Sequence, residues 1–195
     1  MKKLLIGIGI FLVVAFIIYK VYAGMYNGAI AKEENVKASW GQVENQYQRR
    51  ADLIPNLVNT VKGSASHERE TLTQVIQARS KATSVNVDPA NLTPENIQQF
   101  EKAQAGLSSA LSRLLVVVEK YPDLKANQNF RDLQAQLEGT ENRISTERRS
   151  FNLAVQDYNT YVRSFPQRLF LGAEFSQKGT FAAAEGADKA PTVQF

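Results

Sequence analysis

The sequence of 195 residues predicts an all-α protein, in which an N-terminal transmembrane helix is followed by an antiparallel up-and-down bundle of about four long helices. Three observations lead to this prediction. An uncharged apolar run stands near the N-terminus. Through most of the remaining chain, apolar residues recur alternately three and four residues apart, which is the coiled-coil-like spacing of long helices packed side by side. Glycine and proline are scarce, at 11 and 6 residues, and no strand-like alternation stands out.

The first element is the apolar run, which follows Lys2 and Lys3 and extends over residues 4–23 with Lys20 near its end. About 20 residues suffice to cross the hydrocarbon core of a bilayer, and a lysine at the edge can extend its ammonium group to the headgroups. A cleaved signal peptide also begins with basic residues, but Tyr-Lys-Val-Tyr stands where a cleavage site needs small residues. We therefore predict an uncleaved anchor at residues 1–24 that contacts the lipid bilayer through residues 4–23. The protein is then a single-pass protein of the cell (inner) membrane.

The orientation of this anchor is only weakly specified, because lysines lie on both sides of the apolar run. A basic start directly before an apolar core resembles a signal anchor, which leaves the following chain outside the cytoplasm. This resemblance favours a body on the periplasmic, or extracytoplasmic, side.

The body, predicted at residues 25–181, begins with a long helix whose apolar residues form one stripe. Arg50 stands where this stripe requires an apolar side chain. Pro55 interrupts the same helix, so a kink or a restart is expected near it. The residues of the stripe are Val36, Trp40, Val43, Tyr47, Ile54, Leu57 and Val61.

A second helix follows, with an apolar stripe that includes Ile76. Residues 85–94 are predicted to form a loop, because they are rich in proline and asparagine. Thr93 as N-cap, with Pro94 in the first turn, predicts the start of the third helix.

Pro122 is expected to end the third helix. The last helix is predicted to extend from about residue 127 to Phe165, before Pro166. Gly139 lies inside it, at a cost of about 1 kcal/mol relative to alanine. Residues 182–195 are predicted to be a flexible C-terminal tail.

Charge and composition exclude several classes of function. The chain carries 23 Lys and Arg against 19 Asp and Glu, but three of the lysines belong to the N-terminal anchor, so the body is nearly neutral. A nucleic-acid-binding protein would show a basic face, and we therefore expect no nucleic-acid partner. The chain has no cysteine and one histidine, which excludes thiolate zinc sites and sites made of several histidines from one chain.

No catalytic constellation is recognisable in the sequence, so we predict no enzymatic activity, no cofactor and no metal. His67 and Glu68 lack the second histidine that a zinc-protease helix carries four residues after the first. The serines beside them are not part of a nucleophile elbow. No glycine-rich phosphate loop is present.

Arg50 is the most informative polar position, because a buried charge in an apolar stripe needs a partner. Glu147 occupies a comparable position in the last helix and is the expected partner. A structural ion pair is favoured over a charge held for activity. Arg49 and Arg50 could form a basic patch with Arg148 and Arg149, but nearby acidic residues favour a solvated, salt-bridged face.

Three blocks of the sequence resemble the LemA family. The first is Arg-Arg-Ala-Asp-Leu-Ile-Pro-Asn-Leu-Val at residues 49–58, which continues to His67 and Glu68. The second begins with Glu-Lys-Tyr-Pro-Asp-Leu at residue 119, and the third begins with Leu-Glu-Gly-Thr-Glu-Asn at residue 137. The resemblance implies one transmembrane helix and a helical body. It implies no catalytic residues, because the family has no established catalytic activity.

Residues in and near these blocks are predicted to have structural or interaction roles. Arg50, Asp52 and Pro55 are expected at a kink of the first helix, Tyr121 and Pro122 at a turn, and residues 139–142 where two helices approach closely. The predicted residues are Arg49, Arg50, Asp52, Pro55, Asn56, His67, Glu68, Tyr121, Pro122, Gly139, Glu141, Asn142 and Glu147.

Three functional hypotheses follow. The leading one is a membrane-anchored, non-catalytic scaffold or interaction protein that forms homo-oligomers at the bacterial cell envelope, with other membrane or envelope proteins as further partners. The second is an adaptor or regulator of a membrane protease or an envelope-stress system, suggested by the sequence Thr-Val-Gln-Phe at residues 192–195. The third is an enzyme of unrecognised type, which requires that four side chains meet in one pocket. These are Arg50, Asp52, His67 and Glu68.

Overall fold

The computed structural model of the chain describes residues 2–65 and 67–182, and every regular element in that part is a helix. The elements are α1 (Lys2–Ser64), α2 (Arg69–Ser84), α3 (Pro94–Val118), α4 (Pro122–Ala126), α5 (Gln128–Arg163) and α6 (Gln167–Phe170). Four of them are long, and α4 and α6 are about one turn each. The all-α prediction is confirmed. The predicted flexible tail, apart from Ala182, lies outside the described residues.

Helix α1 has 63 residues, which corresponds to a length of about 95 Å at 1.5 Å per residue. Its first part is exposed up to Tyr22. Among the described residues, α1 is the one helix long and apolar enough to cross a membrane, with a mean hydropathy of 2.7 in its most apolar window. Burial begins at Met25, and from there one face of α1 is covered by the later helices. The apolar segment and the body therefore share one continuous helix.

Helix α5 runs antiparallel to α1 along the body. A Cβ at Gly28 would collide with the Tyr161 hydroxyl, so glycine leaves room for this side chain of α5 to reach the α1 backbone. Helix α2 folds back after α1 and packs on both α1 and α3. The contacts that fix the direction of α5 are Tyr161 Oη with Met25 O at 3.1 Å, Lys32 Nζ with Asp157 Oδ2 at 2.6 Å, and Arg50 Nη1 with Glu141 Oε1 at 2.7 Å.

Two apolar cores follow one another along the bundle. The aromatic core, nearer the N-terminal apolar segment, centres on Trp40, whose ring lies 5.2, 5.3 and 5.9 Å from the rings of Phe100, Phe151 and Phe181. The aliphatic core lies farther along and is built from the four long helices and α4. Its fully buried members include Ile54, Leu57, Leu107, Leu114 and Leu124.

A segment without helix, residues 171–182, closes the aromatic core, and we call it the strap. Asn152 and Asn159 of α5 hold it in place. Each amide side chain donates to the carbonyl and accepts from the N–H of one strap residue, at distances of 2.9 to 3.0 Å. The residues held in this way are Phe181 and Lys178. Because the paired bonds resemble those between neighbouring strands, the strap is fixed to a helix without forming a regular element.

The strap also brings a charge into the interior. Lys178 is 8% exposed and pairs with Glu33 of α1 at 2.7 Å. Burial, and then the nearby Glu33 carboxylate, raises the pKa of the Tyr158 phenol to about 12. The neutral phenol donates a hydrogen bond to the carbonyl of Ser176 at 3.1 Å. The strap is thus connected to both α1 and α5.

Pro55 lies inside α1 and does not cause a restart, so that alternative is wrong. A proline lacks the N–H that would donate to the carbonyl four residues earlier, which is the carbonyl of Ala51. Arg79 of α2 supplies the missing donor, because its Nε donates to this carbonyl at 2.7 Å. A neighbouring helix therefore compensates for the proline.

Three smaller expectations are also wrong. Helix α3 ends at Val118, before Pro122, because the chain turns first and the proline occupies the first turn of α4. Ile76 and Phe165 were assigned to buried stripes but are 53% and 81% exposed, since the first faces away from the bundle and the second follows the end of α5. Within the predicted close approach at residues 139–142, Glu141 contacts Arg50 of α1, whereas Gly139 itself is open, since a Cβ there would meet no atom within 4 Å.

The role assigned to Arg79 predicts the outcome of a double-mutant cycle. Arg79→Met should lower the free energy of unfolding by about 1–3 kcal/mol, because the carbonyl of Ala51 loses its donor. In a Pro55→Ala background the restored N–H can donate to this carbonyl, so the cost of Arg79→Met should fall. Chemical denaturation of the full chain in detergent measures both costs. Arg69→Met, at an exposed arginine of the same helix, is the control, and equal costs in the two backgrounds would contradict the assignment.

Candidate functional site: a buried polar layer

A layer of polar side chains separates the two cores and is organised around Arg50 of α1, which is 1% exposed. Its Nη1 donates to Glu141 of α5 at 2.7 Å and to Ser108 of α3 at 2.9 Å. Its Nη2 donates to the side-chain oxygen of Gln104, also on α3, at 2.6 Å. We call Arg50, Gln104, Ser108 and Glu141 the polar layer.

The polar layer also reaches α2. The amide nitrogen of Gln104 donates to the carbonyl of Ala82, near the end of that helix, at 3.2 Å. The Arg50 guanidinium therefore lies at the centre of hydrogen bonds that connect all four long helices. On the side of the aromatic core it lies 5.0 Å from the centre of the Tyr47 ring. Burial raises the pKa of the Tyr47 phenol above its ordinary value, so the ring beside the guanidinium stays uncharged.

These contacts satisfy a charge that burial would otherwise penalise. An unpaired buried guanidinium is strongly unfavourable, and here both terminal nitrogens have acceptors. The Glu141 side chain is 46% exposed, so solvent screens the pair from the α5 side and limits its net contribution to stability. The Nε atom of Arg50 is buried and has no hydrogen-bond partner within the described residues. The layer therefore specifies the arrangement of the helices more than it stabilises them.

Two of the open clefts that border the polar layer reach its residues on α3. One, of about 290 Å³, lies between α1, α2 and α3 and includes Glu44, Tyr47 and Gln104 in its lining. The other, of about 320 Å³, has a floor of leucine side chains and is bordered by Ser108 and Glu141. Residues 2–65 and 67–182 contain no group of three or more His, Asp or Glu side chains that could hold a metal ion. The chemistry that the clefts offer is hydrogen bonding beside an apolar wall.

The predicted pairing of Arg50 with Glu147 is wrong, because Glu141 is the partner. The two acids are six residues apart on α5, about 9 Å along the helix axis. Sequence periodicity shows which residues face a neighbouring helix but not how far the two helices are offset along their axes. Glu147 is half-buried and lies nearer the aromatic core.

The four arginines considered as a basic patch have different environments. Arg50 lies in the polar layer, and Arg148 forms an ion pair with Glu101 of α3. Arg49 and Arg149 are exposed. The charges are therefore divided between the interior and separate surface positions.

The turns after α1 and α3 are joined by a hydrogen bond between two predicted residues. The Tyr121 hydroxyl donates to Glu68 Oε1 at 2.9 Å, and this hydrogen bond is the main cause of the raised pKa of the phenol. Pro122 follows in the first turn of α4, so the predicted turn at these residues is present. His67, next to Glu68, is exposed.

The remaining predicted residues make local contacts at the surface. Asp52 accepts a hydrogen bond from Gln48, one turn earlier, at 2.8 Å. Asn56 and Asn142 are exposed, and their backbone carbonyls accept hydrogen bonds from threonine hydroxyls one turn later, at 2.9 and 3.0 Å. Pro55 is likewise exposed.

The four residues of the enzyme hypothesis are not brought together. Arg50 lies in the polar layer, whereas Asp52 faces solvent on the same helix. His67 and Glu68 lie beyond the end of α1, about 20 Å farther along the helix axis. Within residues 2–65 and 67–182, none of the clefts described is lined by all four of these residues.

The prediction of the site missed Gln104 and Ser108 as partners of Arg50. A signal for Gln104 was present, because it occupies an apolar position of the α3 stripe between Phe100 and Leu107, as Arg50 does in α1. Two polar residues in facing apolar stripes are expected to pair. Ser108 lies one turn after Gln104 and carries no comparable signal.

The chain is similar in sequence to known proteins. The chain matches the model of the LemA family over residues 39–195. The magnetosome protein MamQ of Magnetospirillum gryphiswaldense is 26% identical over 188 residues, which cover 84% of this chain and 66% of that protein. Protein LemA of Metamycoplasma hominis is 23% identical over 155 residues, which cover 80% of this chain and 67% of that protein. Magnetosome protein MamQ 2 of Paramagnetospirillum magneticum is 26% identical over 160 residues, which cover 72% of this chain and 58% of that protein. The chain thus spans about two thirds or less of the length of these relatives.

An apolar N-terminal helix that continues into an antiparallel bundle with a buried polar layer defines a helical-bundle protein with a candidate membrane span. Because the family model covers most of the chain, the chain belongs to the LemA family. The three blocks that carried the resemblance are joined in space. Arg50 and Glu141 connect the first block to the third, and Glu68 and Tyr121 connect the first to the second.

The polar layer predicts different costs for two glutamates of α5. Glu141→Ala should lower the free energy of unfolding by about 1–3 kcal/mol, because the buried Arg50 guanidinium loses its carboxylate. Glu147→Ala, which removes the same charge from the same helix, should have little effect. Chemical denaturation of the two variants and of the full wild-type chain measures the difference. A larger cost for Glu147→Ala would contradict the pairing.

Proposed function

We propose that the protein is a membrane-anchored, non-catalytic scaffold of the cell envelope that acts by assembling with further copies of itself. The observation that carries this proposal is the continuity of α1. The same 63-residue helix supplies the apolar segment and the residue at the centre of the polar layer. A scaffold needs such a connection, because the position of its anchor must determine the position of its body.

The use of the polar residues supports a non-catalytic role. Four of the residues selected from the family blocks connect separate segments of the fold, because Arg50 pairs with Glu141 and Glu68 accepts a hydrogen bond from Tyr121. A catalytic residue, by contrast, must reach a substrate within hydrogen-bonding distance. Arg50 and Glu68 both have their functional groups engaged within the fold.

The cleft between α3 and α5 supports self-assembly. Its lining includes the half-buried Leu115 and the buried Leu111 and Leu137, and the cleft is open to solvent. An open groove with an apolar lining between two helices is a surface that another helix can cover. A second copy of the chain presents such helices at the same level above the membrane.

Self-assembly can be measured on the full chain, extracted with its lipids into nanodiscs, by mass photometry. The expected particles contain more than one copy of the 21.7 kDa chain. Leu115→Glu in the cleft should lower the assembled fraction, because a carboxylate would be buried in the contact. Leu153→Glu, at an exposed leucine of α5 outside the cleft, is the control and should leave it unchanged. A monomer at all concentrations that captures no other protein would contradict the proposal.

We further propose that the body lies on the extracytoplasmic side of the inner membrane. Lys2 and Lys3 directly before the apolar segment support this orientation. External protease added to spheroplasts should then remove the body, and a cytoplasmic marker protein in the same cells should remain intact. Protection of the body until the cells are lysed would contradict this orientation.

The adaptor hypothesis depended on residues 192–195, which lie outside the described residues.

A further inference from the structure

Three large apolar side chains are exposed together where the chain turns after α5. Phe165, Leu169 and Phe170 are 81%, 70% and 49% exposed, and we call them the corner patch. Single exposed apolar residues are normal on protein surfaces, but contiguous ones indicate a contact. The other large apolar residues exposed along α2 to α5 are isolated from one another in sequence: Ile76, Val116 and Leu153.

The corner patch lies at the level where α1 leaves its apolar segment. Just before the patch, Tyr161 donates to the carbonyl of Met25 at 3.1 Å. Since α5 is antiparallel to α1, the residues after Tyr161 extend past Met25 toward the apolar segment. Just after the patch, the chain returns to the same level, where Glu174 accepts a hydrogen bond from Tyr26 at 3.1 Å.

The residues around the corner patch have the composition of a membrane interface. Arg163 and Arg168 are exposed and form no ion pair within the part of the chain that the structure describes. Lys20 and Tyr22 of α1 are exposed at the end of the apolar segment. Aromatic and aliphatic side chains enter the boundary between headgroups and acyl chains, while arginines beside them bind lipid phosphates.

We propose that the corner patch is a second membrane contact, inserted into the leaflet from which α1 emerges. This inference rests on the proposed membrane anchor and adds a second point of attachment to it. The occupant is a bilayer containing anionic lipid, because the patch lies at the level where the apolar segment of α1 ends and the exposed Arg163 and Arg168 flank it in the chain. Two attachment points, rather than one, then hold the bundle against the membrane surface.

The absence of cysteine from the chain permits a test with single labels on the full protein. Leu169→Cys, Val116→Cys and Leu12→Cys place one cysteine in the corner patch, at the far end of α3 and in the apolar segment. All three positions are exposed, at 70%, 68% and 61%, so the substitutions should not disturb folding. Each variant is labelled with the fluorophore NBD and reconstituted in phosphatidylcholine and phosphatidylglycerol nanodiscs. Quenching by nitroxide-labelled lipid reports contact with the bilayer.

The expected result is a blue-shifted emission and strong quenching at positions 12 and 169, with neither effect at position 116. Quenching at position 12 without quenching at 169 would overturn the corner contact and leave the anchor standing. Loss of quenching at position 12 would overturn the anchor itself. A blue shift at 169 without lipid quenching would show that a protein covers the patch, and would also overturn the inference.

The role of the basic side chains is tested in the same labelled protein. Adding Arg163→Glu and Arg168→Glu to Leu169→Cys should reduce the quenching at position 169 in anionic nanodiscs, because phosphates no longer attract this corner. Adding Arg143→Glu and Arg149→Glu, two exposed arginines elsewhere on α5, is the matched control and should leave the quenching unchanged. Equal losses from both pairs would contradict a specific contact at the corner.

Discussion

The hydrogen bonds of the Arg50 guanidinium constrain the rest of the bundle. The charge is buried on α1, and its acceptors lie on α3 and α5. One of these acceptors, Gln104, in turn donates a hydrogen bond to α2. Apolar contacts in the two cores have no directional preference and would tolerate several axial offsets between helices. Hydrogen bonds, in contrast, have a strong directional preference. The polar layer therefore selects one alignment of the four long helices, and the aromatic and aliphatic cores form on either side of that alignment.

Much of the fold could be predicted from local patterns in the sequence. Helical periodicity identified the long helices, and Thr93 caps α3 as expected, with its hydroxyl oxygen accepting from the N–H of Asn96 at 3.2 Å. These features depend on residues close together in the chain. The burial of Arg50 in a polar contact could be predicted for the same reason, because a charge in an apolar stripe is a local anomaly.

Features that depend on how distant segments align could not be predicted in the same way. The choice of Glu141 over Glu147 depends on the axial offset between α1 and α5, which periodicity does not contain. The compensation of Pro55 by Arg79 requires a donor from a different helix. The strap was missed because its hydrogen bonds go to Asn152 and Asn159 rather than to a regular element, so it has no periodic pattern of its own.

The strap has a consequence for the order in which the two cores can form. The aliphatic core is complete in sequence once the chain has reached Leu137, because Leu137 is the last of its buried members along the chain. The aromatic core needs Phe181, which follows every other ring that surrounds Trp40. During vectorial synthesis the half of the bundle next to the apolar segment is therefore the last to be enclosed. Until the strap arrives, a tryptophan and several phenylalanines remain accessible at this end, which makes it the stage at which a nascent chain is most prone to mispairing.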